Sequence, residues 1–311
     1  MTTPIPQPPA VPFLGNVGTI DKEGISSDFT WSESRLTSAH HSVPLDSFSL
    51  LAKTYGEVFQ LNLLGQQIVF VATRDLVNEV SDEKRFQKRV AGGLSQVRNL
   101  LGDGLFTAQP EEPNWGIAHR LLMPAFGTLA VKNMMEPMRD IVSQLLLKWE
   151  RFGSETIIDP SDDFTRVAFD AISFCSMSYR MNSFYNADLP PFAVAMADFL
   201  IESGNRATRP RVVQAVMRGT NAKYEMDIET MRSLAQKIVA TRKEHPIEKH
   251  DLLDTMLNSR DPQTGQGMTE ESIAQNLMTF LIAGHGTSSG MLTFMLYYLL
   301  KNPEKMRKLR A

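Results

Sequence analysis

Residues Ala283-Gly284-His285-Gly286-Thr287-Ser288-Ser289-Gly290 form the centre of an apolar run from Thr269 to Leu300. Apolar arms, Leu277–Ala283 and Met291–Leu300, flank them. Read as one helix, the run extends about 48 Å at 1.5 Å per residue, enough to cross a domain. Each glycine inside a helix costs roughly 0.8–1 kcal/mol relative to alanine, so Gly284, Gly286 and Gly290 need a reason beyond propensity. Close approach supplies one, either by a flat ligand against the backbone or by a neighbouring helix in a small-residue seam. Thr287, Ser288 and Ser289 are able to return hydrogen bonds to carbonyls one turn back. With the glycines beside them, a local bulge is expected here.

The rest of the chain frames this helix. Its 311 residues are 42% hydrophobic and 22% charged, which supports a sizeable core. No Gly/Ser- or Pro-rich linker interrupts mid-chain, so one large domain is expected. A net charge of −3 without a basic, aromatic-interleaved stripe argues against a nucleic-acid surface. A single cysteine excludes intramolecular disulfides and fits a reducing compartment. Met1–Pro6 has neither a charged n-region nor an apolar h-region, and the long run is interrupted by small polar residues. The expectation is a soluble, cytoplasmic protein without a transmembrane segment.

Residues 1–47 read as an extended or looped segment, with Ile5-Pro6-Gln7-Pro8-Pro9 extended and 24–41 a loop. His40-His41 lacks a third metal ligand at useful spacing and reads as an exposed pair. A short helix over Leu45–Tyr55 precedes Val58–Leu63, a turn over Leu64–Gln67, and Ile68–Ala72, which together predict a β-hairpin. Helices then follow over Asp75–Val80, Asn114–Pro124, Lys132–Phe152, Pro160–Tyr179, Pro191–Ser203, Tyr224–His245 and Asp251–Asn258. Pro160-Ser161-Asp162-Asp163 reads as an N-cap signature, and Arg206–Arg218 as a solvated basic face or loop. Thr269 with Glu270 and Glu271 caps the long helix, and Asn302-Pro303 starts a final one. The fold class expected is mainly α with a small N-terminal β element.

Few constellations carry chemistry. Gly-x-Gly-x-x-Gly after a strand, a phosphate loop and a His-Glu-x-x-His signature are all missing from the 311 residues. Cys175 lies in an apolar helical pattern with Ile172, Phe174 and Met177, and reads as a structural core cysteine. Gly286-Thr287-Ser288-Ser289-Gly290 fits the formal Gly-x-Ser-x-Gly elbow of serine hydrolases. That elbow must follow a strand and precede its acid and histidine. The segment before it reads as helix, and neither His nor Asp follows Ser288 within the sequence. A hydrolase is therefore not the reading we adopt.

Phe280–Gly290 resembles the oxygen-binding helix of cytochrome P-450 haem-thiolate monooxygenases. Gly102-Asp103-Gly104-Leu105-Phe106-Thr107, Asn114–His119, Lys148-Trp149-Glu150-Arg151, Tyr179–Tyr185 and Asp251–Leu257 resemble one branch closely and in order. That branch is the self-sufficient type of bacteria and fungi, in which the haem domain is fused to a flavin reductase. The resemblance runs from about Leu45 to Pro303 and implies a haem cofactor, O2 and a lipophilic substrate. FAD, FMN and NADPH enter only through a reductase that lies outside this chain. It implies residues 48–311 as the N-terminal part of a single haem monooxygenase domain. It further implies Ala283 and Gly284 over the distal haem face and Thr287 as the hydrogen-bonding, proton-delivering residue on the oxygen side. Lys88, Trp115 and His119 match positions that hold haem propionates. Phe106 matches a position lining the substrate pocket, with Leu94, Val97 and Leu101 on an approach helix; core packing is the competing reading for this group.

Three departures qualify the resemblance. The family's Phe-x-x-Gly-x-x-x-Cys-x-Gly loop and Glu-x-x-Arg pair have no match in residues 1–311. The chain thus reads as a C-terminally truncated P-450 fold, missing the cysteine-loop third and its axial thiolate, and is expected to be inactive alone. The alternative is a non-enzymatic helical remnant or lipid-binding fragment. Gly286 stands where the family usually has an acid, and Gln66 and Phe70 stand where an arginine and a tyrosine can capture a fatty-acid carboxylate. A fatty acid and an uncharged alkyl or polyketide-like chain are therefore both retained as substrates.

Overall fold

The computed structural model describes residues 4–12, 15–16, 44–63 and 65–311, of which 44–47 and 208 are described in the backbone alone. His40, His41 and the expected loop over 24–41 lie outside the described residues. The chain forms two compact units, residues 1–88 and 89–311.

The first unit contains α1 (Pro44–Tyr55), β1 (Val58–Leu63), β2 (Gln66–Val71) and α2 (Arg74–Val80). Alternation along β1 buries Phe59 and Leu61. Phe70 of β2 stacks on Phe59 at 5.1 Å and on Phe48 of α1 at 4.9 Å. β1 and β2 pair antiparallel from Val58↔Val71 to Leu63↔Gln66, so β2 begins earlier than its apolar run suggests. The proline-rich segment is strapped to β1, because prolines still offer carbonyls. Gln60 N–H donates to Pro6 O at 2.9 Å, and Asn16 bridges Pro8 O at 3.0 Å and the Asn62 N–H at 2.8 Å.

Helices make the second unit: α3 (Gly93–Leu101), α4 (Pro113–Leu122), α5 (Thr128–Asn133), α6 (Met135–Phe152), α7 (Pro160–Met177), α8 (Pro191–Thr208), α9 (Arg211–Val216), α10 (Arg218–Glu244), α11 (Leu252–Asn258), α12 (Glu270–Lys301) and α13 (Pro303–Arg310). The single helix expected over Lys132–Phe152 is broken at Met134. Pro137 explains the break: it has no N–H for a bond to Asn133 O and is tolerated in the first turn of α6. The cap of α7 is Asp159, one residue before the expected signature, with its carboxylate accepting from Ser161 N–H at 2.9 Å. Of the two readings of Arg206–Arg218, the solvated face holds and the loop does not: residues 210–213, 215, 216 and 218 are exposed, but most of the segment is helical. α8 continues through Arg206, and Arg206 and Arg209 both bond Glu202, at 3.1 and 2.7 Å.

α12 is the axis of this unit and packs most extensively on α7. Its cap is as expected, with Thr269 Oγ1 accepting from Ser272 N–H at 3.1 Å. Ile273, Leu277, Met278 and Leu281 are buried in one cluster with Leu100, Leu101, Ile117, Phe169, Phe199 and Met231. Beyond Ser289 the helix buries no side chain, and Met291, Phe294 and Tyr298 are exposed. Among the described residues, no helix is long and apolar enough to cross a membrane.

Candidate functional site

The middle of α12 is packed on one side and open on the other. A Cβ built on Gly284 would lie 2.7 Å from Ile172 Cγ1 of α7, so this glycine allows helix-to-helix contact. The expectation that Gly284 owes its small size to a haem face is corrected by that geometry. His285 and Ser289 share the same seam and are buried, at 7% exposure each. Ala283, Gly286 and Thr287 face the other way and are exposed. A Cβ on Gly286 or Gly290 would meet nothing within 4 Å. Residues three and four apart share a helix face, so Ala283, Gly286, Thr287 and Gly290 make one open strip of small residues.

The hydroxyls bond as expected without opening the helix. Thr287 Oγ1 donates to Ala283 O at 2.8 Å and Ser289 Oγ to Gly286 O at 3.1 Å, yet α12 runs unbroken from Glu270 to Lys301. The expected bulge is therefore absent; packing of the seam against α7 holds the helix regular.

The loop bearing Phe106 is fastened to this same side of α12. Leu105 N–H donates to Oδ1 of the buried Asn276 at 3.0 Å. Asn276 precedes Ala283 by two turns, so both lie on nearly one line along the helix. Gly102 has φ +50°, and a Cβ there would sit 2.1 Å from Gln275 Nε2; only glycine satisfies both the backbone and the contact. Thr107 Oγ1 closes the loop on Gly102 O at 2.9 Å, and Asn114 Nδ2 holds Asp103 at 2.7 Å. Arg98 pairs with both carboxylate oxygens of Glu112, at 2.9 and 2.6 Å, and ties α3 to the start of α4. Phe106 is 51% exposed. On α3, Leu94 is exposed, but Val97 and Leu101 are buried in the core cluster. The face of α3 that carries these two is packed among helices of the core.

Trp115 and His119 stack one turn apart on α4, with ring centroids 4.7 Å apart. Trp115 is 38% exposed, so its indole N–H and the imidazole form a pair of donors on an accessible face. Lys88 ends the first unit, where burial lowers its ammonium pKa. Cys175 is buried in α7, with Sγ 3.8 Å from Met134 O, and burial raises its thiol pKa. It is a core cysteine, and among the described residues no cluster of three His, Cys, Asp or Glu side chains is arranged to hold a metal ion.

Small residues without a Cβ obstacle and an alcohol on the same strip leave room for a flat group against α12. The model of the cytochrome P450 family matches residues 6–311. The chain belongs to the cytochrome P450 family. It is 53% identical over 308 residues to a self-sufficient cytochrome P450 monooxygenase from Phanerodontia chrysosporium, covering 99% of this chain and 27% of the relative. Bifunctional cytochrome P450/NADPH–P450 reductases are similar too: 47% identical for one from Fusarium oxysporum and 46% for one from Acremonium egyptiacum, each covering 99% of this chain and 27% of the relative. The P450 chain described here thus spans about a quarter of the length of these curated relatives. Of the aromatic positions read against the family, Phe70 is committed to the ring stack with Phe48 and Phe59, while Gln66 is exposed at the start of β2.

His285 makes the seam sensitive to acid. Neither ring nitrogen has a hydrogen-bond partner among the described residues, and the ring meets Phe169 edge-on at 5.6 Å. Burial pushes its pKa down to about 4 from the usual 6.5. The unfolded chain therefore binds a proton more readily, so this contribution to stability is complete above pH 6.5 and is lost as pH falls toward 4. The full loss is up to about 3 kcal/mol, of which roughly 2 are lost by pH 5. Urea unfolding at pH 7.5 and pH 5 is expected to show a smaller pH-dependent loss in His285→Leu than in the parent; equal slopes would refute the assignment.

Proposed function

We propose that this chain provides the oxygen-side and substrate-side part of a monooxygenase that hydroxylates long-chain apolar molecules, either fatty acids or uncharged alkyl chains. Electrons reach it from NADPH through FAD and FMN on a reductase partner. The observation that carries the reading is the open strip Ala283–Gly286–Thr287–Gly290, with the Phe106 loop anchored on the same side of α12. Bound haem supplies the activation of dioxygen and the insertion of one oxygen atom into a C–H bond. Ala283 and Gly286 keep the strip low enough for a flat group and a substrate chain to share it. Trp115 and His119 donate N–H groups to carboxylates at its edge. Phe106 and Leu94 offer apolar surface that excludes water from the reacting carbon.

Thr287 is the proton-handling residue of the strip. Its hydroxyl proton is bonded to Ala283 O at 2.8 Å, and a rotation about χ1 releases it toward a ligand. The hydroxyl keeps two acceptor lone pairs for a water that renews the proton. Gly286 places no carboxylate beside it, so the relay depends on that water.

The test uses the full-length protein. Haem should be retained, and the reduced carbon monoxide complex should show a thiolate-type Soret band. Thr287→Ala should keep that band while forming at least about ten-fold less hydroxylated product per NADPH consumed. Failure to retain haem favours the helical remnant, and unchanged coupling in Thr287→Ala refutes the role of the alcohol. Residues 1–311 expressed alone should show no thiolate-type band, since their one cysteine is packed in α7.

A further inference from the structure

α3 is a short helix bounded by two glycines. Gly92 before it and Gly102 after it both adopt positive φ, +57° and +50°, a region that favours glycine. Helices of this length are marginal on their own in water, so the orientation of α3 must be imposed from outside. Arg98 and its pairing with Glu112 act at the C-terminal end.

Val97, Leu100 and Leu101 anchor one face of α3 in the core, and a single buried phenol adds a hydrogen-bonded restraint. Tyr224, in the first turns of α10, is 1% exposed, and its hydroxyl reaches three groups. It donates to Gln96 O of α3 at 3.0 Å, accepts from Asn99 Nδ2 of α3 at 3.2 Å, and lies 3.2 Å from Ser203 Oγ of α8. The ring cannot swing away. Phe199 of α8 stacks on it at 5.1 Å, and the Arg206 guanidinium sits 3.7 Å from the ring centroid. Arg206 is itself fixed by Glu202 and Asn221, at 3.1 and 2.8 Å. A rigid ring thus presents one hydroxyl to both the backbone and a side chain of α3. Phenylalanine would preserve the ring packing and remove every one of these hydrogen bonds.

We propose that the Tyr224 hydroxyl is a positioning latch that fixes the rotation of α3, and through it the place of Leu94 against the substrate. The second clause rests on the function proposed above; the first does not. Loss of the latch leaves α3 held by its buried face alone, so its exposed Leu94 is placed less exactly, an alkyl chain is held in several registers and is oxidised at a broader set of carbons.

The experiment compares the full-length protein with Tyr224→Phe and Asn99→Ala. Asn99→Ala leaves the Tyr224 ring untouched and guards against a folding defect in Tyr224→Phe. Amide hydrogen exchange over residues 93–101 should accelerate about ten-fold or more in Tyr224→Phe and by a smaller factor in Asn99→Ala, with the middle of α12 unchanged. With dodecanoic acid and dodecane as probes, the product distribution should broaden while NADPH consumption stays within about two-fold. Unchanged exchange over 93–101 overturns the latch. Faster exchange with an unaltered product distribution overturns the positioning role and leaves a structural tether. A parent protein that retains no haem refutes the proposed function, whatever the exchange data show.

Discussion

Replacing Arg166 with alanine is expected to destabilise the fold by about 3–5 kcal/mol, the range for removing one partner of a buried charged network. Arg166 is 4% exposed in α7. Its Nε donates to Asp162 at 2.8 Å, and its two terminal nitrogens serve four carbonyls: Ser183 at 2.5 Å, Ala187 at 2.7 Å, Asn186 at 3.0 Å and Asp188 at 3.3 Å. A planar fork of donors meets this set, whereas the ammonium of a lysine is a single point with three donors. Alanine leaves the carbonyls between α7 and α8 without their partner, and that of the buried Ser183 alone costs about 1–3 kcal/mol when unsatisfied. The same loop rests on Asp170, which accepts from Ser183 N–H at 3.0 Å and from Ser183 Oγ at 2.5 Å. Burial raises the Asp170 pKa, and these bonds oppose the rise. Urea unfolding should therefore rank parent, Arg166→Lys and Arg166→Ala in falling order. Full stability in the lysine variant would show that charge alone, and not the fork, holds the loop.

Gly284→Val should be the next most damaging change, at about 3 kcal/mol, the upper end for overpacking a filled core. Even the first added carbon would lie 2.7, 2.9 and 3.2 Å from three carbons of Ile172. α7 and α12 must separate or Ile172 must leave its rotamer. Ile172→Ala alone is destabilising because it removes buried contacts. Combined with Gly284→Val it should recover stability, so the two changes couple by more than about 1 kcal/mol in a double-mutant cycle. Additive effects would mean that the seam yields elsewhere. By contrast Gly286→Ala, which meets open space, should leave folding stability unchanged or slightly raised, because alanine is the better helix former.

The pair of glycines shows how far a one-dimensional reading reaches. Both interrupt the same apolar run, and their spacing left a helix seam and a ligand groove equally open. Two residues along a helix is a rotation of about 200°, so Gly284 answers to α7 while Gly286 faces outward. The residues that face each could be named once α7 was in place. Val97 and Leu101 carry the same lesson, since a helix periodicity identifies an apolar face without saying whether protein or ligand covers it. Tyr224 and Arg166 were invisible for another reason. Their partners lie 21–128 and 4–22 residues away in sequence, and hydrogen bonds to backbone carbonyls leave no side-chain pattern.

By itself the sequence determined the local elements: the hairpin from strand alternation, the long helix from its apolar run and Thr269 cap, and the family from motifs in register. Those signals are written in neighbouring residues, where period, caps and turn chemistry act. The break at Met134 was also present, in Pro137, for a reading that weighed the missing N–H. Only the tertiary structure decided which side of α12 belongs to α7, that the Phe106 loop is fastened to Asn276, and that the Tyr224 hydroxyl meets Gln96 and Asn99 of α3. Packing of distant segments sets these, because direction around a helix and the identity of a neighbour are properties of the folded chain in space.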